Sequence, residues 1–358
     1  MKTTQDLLAA ADKRRLKILV IGDILRDVYL TGSVKRISPE APIPIFVREK
    51  EEMFPGGAGN VACQFHHWNA EIVLLGFVDR RTALLLRTCN VDIDSTACVP
   101  LCTGSNPVKY RFMSEGRILF REDVEYPRYG QTDFAALHCR LVPKFQEVLQ
   151  TRPDIVLLSD YRKGAFEEET ARCFIDSCRA KDIPTVVNYK SGPLSWWNWA
   201  DFMQMNKDAA TAVAEGPGQS RFDNPAWPRL VVTHGGLGYS LGNFEEPPRI
   251  YPARTAIEPA NIVGAGDCFL AHLGLALGHG FSLSEAAEIA YQAGRAYVRG
   301  SMNRPVLPNE VLAETCPQDA KIAGAETIRH ILNARRAGSK IVFTNGVFDL
   351  LHPGHLHL

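Results

Sequence analysis

NIVGAGDCFLAHLGLALGHG, residues 261–280, joins a turn of small residues to a helix-length apolar run. Gly264-Ala265-Gly266 aims several backbone N–H groups at one point, and a helix start adds partial positive charge there. That combination holds an anion, or the charge on a phosphoryl group in transfer. Asp267 follows at once, where a carboxylate can take the proton of a hydroxyl attacking phosphorus. Taken alone, the same run also reads as a tight turn followed by an acidic first helical turn.

Outward from this turn, short apolar β-branched runs alternate with helix-period segments. KILVIGD (17–23), IVLLGFV (72–78), DIVLLSD (154–160), PTVVNY (184–189), DFMQMN (201–206) and RLVVTH (229–234) read as buried strands. Phe134, Leu137, Leu141, Phe145 and Val148 recur at helical spacing. FEEETARCFIDSCRA (166–180) and KDAATAVAEG (207–216), which stops at Gly216, are further helices. This rhythm predicts an α/β sandwich with a mainly parallel sheet covered on both faces. Two stretches break it with period-two alternation. They are DVYLTGSVKRISPEAPIPIFVREK (27–50) and VKYRFMSEGRILFRED (108–123), a hairpin about Ser114-Glu115-Gly116. Together they suit a small antiparallel lid over the C-terminal ends of the parallel strands.

The bulk numbers exclude several classes. Lys plus Arg and Asp plus Glu are both 40 in 358 residues, which argues against a general nucleic-acid or membrane-surface binder. No apolar run is long enough to cross a bilayer, and the basic Lys13-Arg14-Arg15 follows the N-terminal amphipathic stretch rather than preceding it, unlike a signal peptide. The nine Cys are scattered with no Cys-x-x-Cys pair, as in a reducing cytoplasm.

Two more motifs carry chemistry. In FPGGAGNVACQ (54–64), Gly56 and Gly57 allow close backbone approach to a ligand, and the Asn60 amide can bond a sugar hydroxyl in both directions. In GDILRDVY (22–29), Asp23 lies at a strand end where open α/β sheets bind ligands. Asp23 and Asp27 suit polyol recognition, or serve as ordinary loop acids and caps. In this order, G-D, G-G-x-x-x-N and G-A-G-D resemble the signatures of the ribokinase-like (PfkB) sugar kinases. A narrower likeness covers essentially the whole chain. RISPEAPIP (36–44), PGGAGNVA (55–62), LSDYRKGAF (158–166) and TNGVFDLLHPGH (344–355) look like the bifunctional heptose-7-phosphate kinase / heptose-1-phosphate adenylyltransferase family, which supplies ADP-heptose for the lipopolysaccharide core.

The resemblance implies an enzyme that uses ATP and Mg²⁺ to phosphorylate the anomeric hydroxyl of a heptose 7-phosphate. It implies Asp267 as general base, with the amides of Gly264, Ala265 and Gly266 as the anion hole. Asp23, Asp27, Gly56, Gly57 and Asn60 would hold the sugar, and Lys109, Arg111 and Lys163 its 7-phosphate. The nucleotide would lie along THGGLG (Thr233, Gly235, Gly236, Gly238), near Lys190, Asn206 and Asn261. Other expectations are a cytoplasmic homodimer paired through its lid, with a kinase domain over 1–304 and a linker with connecting helix over 305–338. Residues 339–358 would be the start of a nucleotidyltransferase domain, incomplete and inactive, although His352 and His355 keep its H-x-G-H spacing.

The chain departs from that family at three places. The family's Asn-x-x-Glu, whose Glu helps organise magnesium through water, stands here as Asn206-Lys207-Asp208-Ala209. The acid three residues before G-A-G-D is Asn261, and Asp-Pro-Lys is Asn188-Tyr189-Lys190. Each change removes anionic character that attracts Mg²⁺. The alternatives are therefore a different PfkB-family sugar kinase, or a paralogue that binds sugar phosphate and nucleotide without turnover.

Overall fold

The computed structural model describes residues 2–89, 93–101, 104–125, 134–215, 228–243, 248–253, 257, 259–300 and 303–314. The sequence expectations for 325–358, including the H-x-G-H motif, lie outside them. In chain order the elements are α1 (Thr4–Lys13), β1 (Leu16–Gly22), β2 (Ile24–Ile37), β3 (Pro44–Gly57), α2 (Ala58–Cys63), β4 (Ala70–Leu75), β5 (Phe77–Val78) and α3 (Arg80–Thr88). There follow β6 (Ile93–Asp94), β7 (Val99–Pro100), β8 (Val108–Ser114), β9 (Arg117–Val124), α4 (Phe134–Gln150), β10 (Ile155–Ser159), α5 (Glu168–Arg179), β11 (Thr185–Asn188), β12 (Phe202–Asn206) and α6 (Lys207–Glu215). The last are β13 (Arg229–Thr233), β14 (Gly238–Gly242), β15 (Arg249–Pro252), α7 (Ala265–Gly278), α8 (Leu283–Val298) and α9 (Pro308–Ala313).

Among the described residues one sheet has nine strands in the order β15-β14-β13-β12-β11-β10-β1-β4-β6. The six expected strands and the short β6 form its parallel part, and β14 and β15 close one edge antiparallel. The run read as one strand over 72–78 divides at Gly76, whose Cα sits so close to the Gly22 carbonyl that a Cβ would lie 2.5 Å from its oxygen. Strand residues alternate between two cores. Ile18, Val20, Ile155, Leu157 and Val186 pack on one face with α7 and α8, whereas Leu19, Ile21, Val156, Leu158 and Val187 pack on the other with α4 and α5. Both faces are therefore apolar, as a parallel sheet between two helical layers requires.

The two period-two stretches form a second sheet in the order β3-β2-β8-β9, antiparallel except for the parallel pair β2–β8. Its β8–β9 turn places Glu115 at φ 51° and Gly116 at φ 75°, the two positive values of a type I′ hairpin. The chain leaves β1 toward β4 on one side and returns to β10 on the other. Strand order therefore reverses between β1 and β10, where open α/β sheets have their ligand crevice. No helix of the described residues is long and apolar enough to cross a membrane.

Helix α7 lies on this sheet through small residues. A Cβ on Gly274 would sit 2.4 Å from Leu157 Cδ2, so helix and strand touch nearly backbone to side chain. A Gly274→Val substitution should overpack this contact and cost about 1–3 kcal/mol in urea denaturation. It should also lower activity, because α7 carries the G-A-G-D turn at its start.

Candidate active site

The loop after β10 is organised by Asp23, which follows β1. Its Oδ2 accepts the backbone N–H groups of Tyr161 (2.7 Å) and Lys163 (3.0 Å), and its Oδ1 that of Ala165 (2.8 Å). Burial pushes this carboxyl upward in pKa, and the three N–H bonds pull against that. Asp23 is thus committed to shaping the switch-point loop, and its tie puts Tyr161 beside the start of α7.

Asp267 stands in the first turn of α7 and is 2% exposed. Its Oδ2 accepts the Asn60 side-chain N–H (3.0 Å), and its Oδ1 accepts the Tyr161 hydroxyl (2.6 Å). Asn60 is itself held by Gln64, whose amide donates to Asn60 Oδ1 (3.1 Å). The structure therefore places Asn60 on the carboxylate that the sequence reads as the base. Burial raises the Asp267 pKa, while Lys190, Tyr161 and Asn60 favour its charged form. Gly264 caps the helix at φ 83°. The Ala265 N–H bonds Ile262 O at 3.3 Å, and those of Gly264 and Gly266 have no partner among the described residues. Two of the three expected anion-hole amides are therefore open, as a helix start leaves them.

The lid supplies cations. Parallel register pairs Asp27 with Lys109 and Tyr29 with Arg111, and strand alternation sets all four on one face. Arg111 and Asp27 form a buried pair (Nη1–Oδ1 2.6 Å), and Asn303 also donates to Asp27 Oδ2 (3.1 Å). Lys163 pairs with Glu125 at 2.5 Å. Lys109 has no carboxylate within ion-pair distance among the described residues, and burial lowers its pKa. Gly56 lies against Asp27, where a Cβ would be 2.5 Å from Oδ2, and Gly57 has φ 58°. Of the residues expected to hold sugar phosphate, Lys109 is the cation left without an acid.

On the other side of Asp267, the alternation that fills the α7 face with Leu157 and Val186 turns polar at the strand ends. Ser159, Asn188 and Gln204 are neighbours in register, and each is at most 2% exposed. Gln204 donates to Gly266 O (3.1 Å), but its Oε1, both amide atoms of Asn188 and Ser159 Oγ have no partner among the described residues. Lys190 follows, and a Cβ on Gly266 would lie 3.5 Å from its Nζ. Burial lowers the Lys190 pKa, and the Asp267 charge holds it up. Buried polar groups without partners mark the floor of a ligand site.

The remaining expected nucleotide residues are spread along the crevice. Asn206 Oδ1 caps α6 through the Ala209 N–H (2.8 Å), and Asn261 Oδ1 accepts the Val263 N–H (3.0 Å). The Thr233 hydroxyl donates to Met205 O (3.4 Å). Gly235 and Gly236 border open space, whereas Gly238, at φ 115°, lies so close to Tyr251 that a Cβ would be 2.1 Å from its carbonyl oxygen. Among the described residues no three His, Cys, Asp or Glu side chains gather as a metal site. Tyr161, Tyr297, Gln64 and the Ser159–Gln204 row went unassigned at the level of sequence. The SDYRKG string was a visible signal for the first; the rest require the register.

A family model described as pfkB family carbohydrate kinase matches residues 15–309. A bifunctional protein HldE from Caulobacter vibrioides is 35% identical over 363 residues, which is 95% of this chain and 73% of that protein. Among solved structures, phosphofructokinase-2 from Escherichia coli in complex with potassium superposes with a TM-score of 0.64 at 18% identity, over 83% of this chain and 97% of that one. Arabidopsis thaliana ribokinase complexed with ribose and ATP gives 0.60 at 16% identity, over 84% and 99%.

The G-A-G-D turn tolerates no side chain at its cap. A Cβ on Gly264 would fall 2.4 Å from both Asn60 Nδ2 and Tyr297 Oη, in a left-handed conformation besides. Gly264→Ala should therefore cost at least about 1–3 kcal/mol in denaturant unfolding. Activity should fall further than stability accounts for, because Asn60 is displaced from Asp267.

Proposed function

The chain belongs to the pfkB family of carbohydrate kinases and is an ATP-dependent sugar kinase, and on that premise we propose that its acceptor is the anomeric hydroxyl of D-glycero-D-manno-heptose 7-phosphate. The observation that carries the reaction is the buried Asp267, set beside open Gly264 and Gly266 amides and the Lys190 ammonium. The relatives named HldE and the Lys109 ammonium on the lid support the choice of a phosphorylated sugar.

In the reaction the sugar O–H proton passes to Asp267 and the sugar oxygen bonds the γ-phosphorus. The bond from that phosphorus to the β–γ bridging oxygen breaks, and ADP leaves with the electron pair. The Gly264 and Gly266 amides and Lys190 face the charge that builds on the transferred phosphoryl oxygens. Lys109 anchors the acceptor's phosphate at the far end of the sugar. Gly235 and Gly236, where an added Cβ would meet nothing within 4 Å among the described residues, leave room for the nucleotide.

The protein's own residues do not fit a divalent-cation cage. Asn188, Ala209 and Asn261 are neutral, Asp208 is exposed, and Asn206 Oδ1 is spent on a helix cap. Mg²⁺ accordingly belongs to the substrate, as the ATP complex. Loss of the family's acids also favours a second reading, a paralogue that binds both ligands without turnover.

A test against a panel of sugar phosphates separates the two. We expect ADP and heptose 1,7-bisphosphate from the wild type, and a kcat lowered about 10²–10⁴-fold in Asp267→Asn, the usual worth of a general base. Unchanged turnover in that variant would remove Asp267 from the chemistry. Calorimetric binding of both ligands with no product by mass spectrometry would establish the second reading.

The lid also exposes Ile37, Ile43, Val47, Ile118, Leu119 and Phe120, each by 47–60%. Apolar side chains on a small sheet with two open edges fit a second copy of the chain. Sedimentation should show a dimer for the wild type and a monomer for Phe120→Glu; a wild-type monomer at micromolar concentration would remove this part.

A further inference from the structure

Tyr161 touches Asp23, Asp267, Lys109 and Lys190. Its backbone N–H is fixed by Asp23 (2.7 Å) and its hydroxyl donates to Asp267 Oδ1 (2.6 Å). Lys109 Nζ lies 5.0 Å from its ring centroid and Lys190 Nζ 4.9 Å. One ammonium comes from the lid strand β8 and the other from the loop after β11, and cation–π attraction holds each to the same ring. We propose that Tyr161 is a positioning residue: its hydroxyl orients the Asp267 carboxylate, and its ring is the common support of the Lys109 and Lys190 ammonium groups.

The argument is one of available lone pairs. With Asn60 on Oδ2 and Tyr161 on Oδ1, the carboxylate cannot turn, yet each oxygen keeps a further acceptor site for a substrate hydroxyl. Tyr161 remains a donor throughout, because burial and the Asp267 charge push its phenol well above its ordinary pKa. It therefore holds the base without competing for the substrate's proton. The other charged and titratable groups facing Asp267 are Lys190, Lys109 from β8, Asp27 from β2, Tyr297 from α8 and Cys268 from α7 itself. Among them Tyr161 makes the direct hydrogen bond, and it also supports both lysines. The ring has a mechanical part too. Lys109 belongs to the lid and Lys190 to the main sheet, so Tyr161 is a common stop for cations carried by two separate sheets.

This inference rests on Asp267 being the base, so the test has one readout that needs turnover and one that does not. The first is the pH dependence of kcat/KM for ATP-dependent phosphorylation of heptose 7-phosphate. The second is the titration of the Asp267 carboxyl by ¹³C NMR in Asp-labelled protein, with the resonance assigned by its loss in Asp267→Asn. In Tyr161→Phe the carboxylate loses a donor to its charged form. The carboxyl titration and the acidic limb of the profile should then both move to higher pH, and kcat should fall about 10- to 100-fold. Tyr161→Leu should in addition raise KM for the sugar phosphate, because Lys109 loses its platform; native thermal melts confirm that both variants are folded. A Tyr161→Phe protein whose Asp267 titration is unmoved overturns the inference, whatever its turnover. A wild type that yields no product overturns the heptose reading instead, and the NMR titration still decides whether Tyr161 orients Asp267.

Discussion

A carboxylate sealed against the first turn of an apolar helix is the constraint around which this molecule is arranged. Asp267 is buried because α7 must cover the sheet with Phe269, Leu270, Leu273 and Ala276, and its place in the first turn draws it in with them. A buried carboxylate without donors would take up a proton and cease to be a base. The groups that keep it charged, two hydrogen-bond donors and one nearby ammonium, come from distant parts of the chain. Asn60 follows β3, Tyr161 follows β10, and Lys190 follows β11. The three converge because β10 and β11 end side by side at one end of the main sheet, and β3 of the small sheet leads directly into α2, which packs against α7.

Asp23 shows how the convergence is secured. A strand-order reversal opens a crevice between β1 and β10, and a loop there would ordinarily be loose. Three backbone N–H groups of that loop instead close on one buried carboxylate. Asp23 thereby makes the crevice floor rigid, and one residue it fixes, Tyr161, reaches the Asp267 carboxylate.

Much of this was legible in the sequence, and the parts that were not share a cause. Apolar runs disclosed the parallel strands, and the G-A-G-D turn disclosed Asp267, because both signals are local. The partner of a side chain is not local. Asn60, Asp23 and Arg111 were visible as polar residues in the right neighbourhood. Whether each faces substrate or another residue depends on contacts 84 to 207 positions apart along the chain. The Ser159–Asn188–Gln204 row was hidden for a related reason. No one of the three is unusual in its own strand, and only the register sets them side by side under α7.

The row also bears on how the site manages charge. Phosphoryl transfer needs positive character near the phosphates, and kinases divide that duty between metal, lysines and backbone amides. This chain carries amides at 188 and 261, and Ala209 in the first turn of α6. Asn188 contributes an N–H that no group among the described residues uses, close in sequence to Lys190 and in register with Gln204 below Gly266. An amide there, unlike a carboxylate, can donate to a phosphate oxygen. With neutral groups at 188, 209 and 261, the positive character that the proposed reaction needs would rest on Lys190 and the helix start, while the buried Asp267 carboxylate keeps its two side-chain donors, Asn60 and Tyr161.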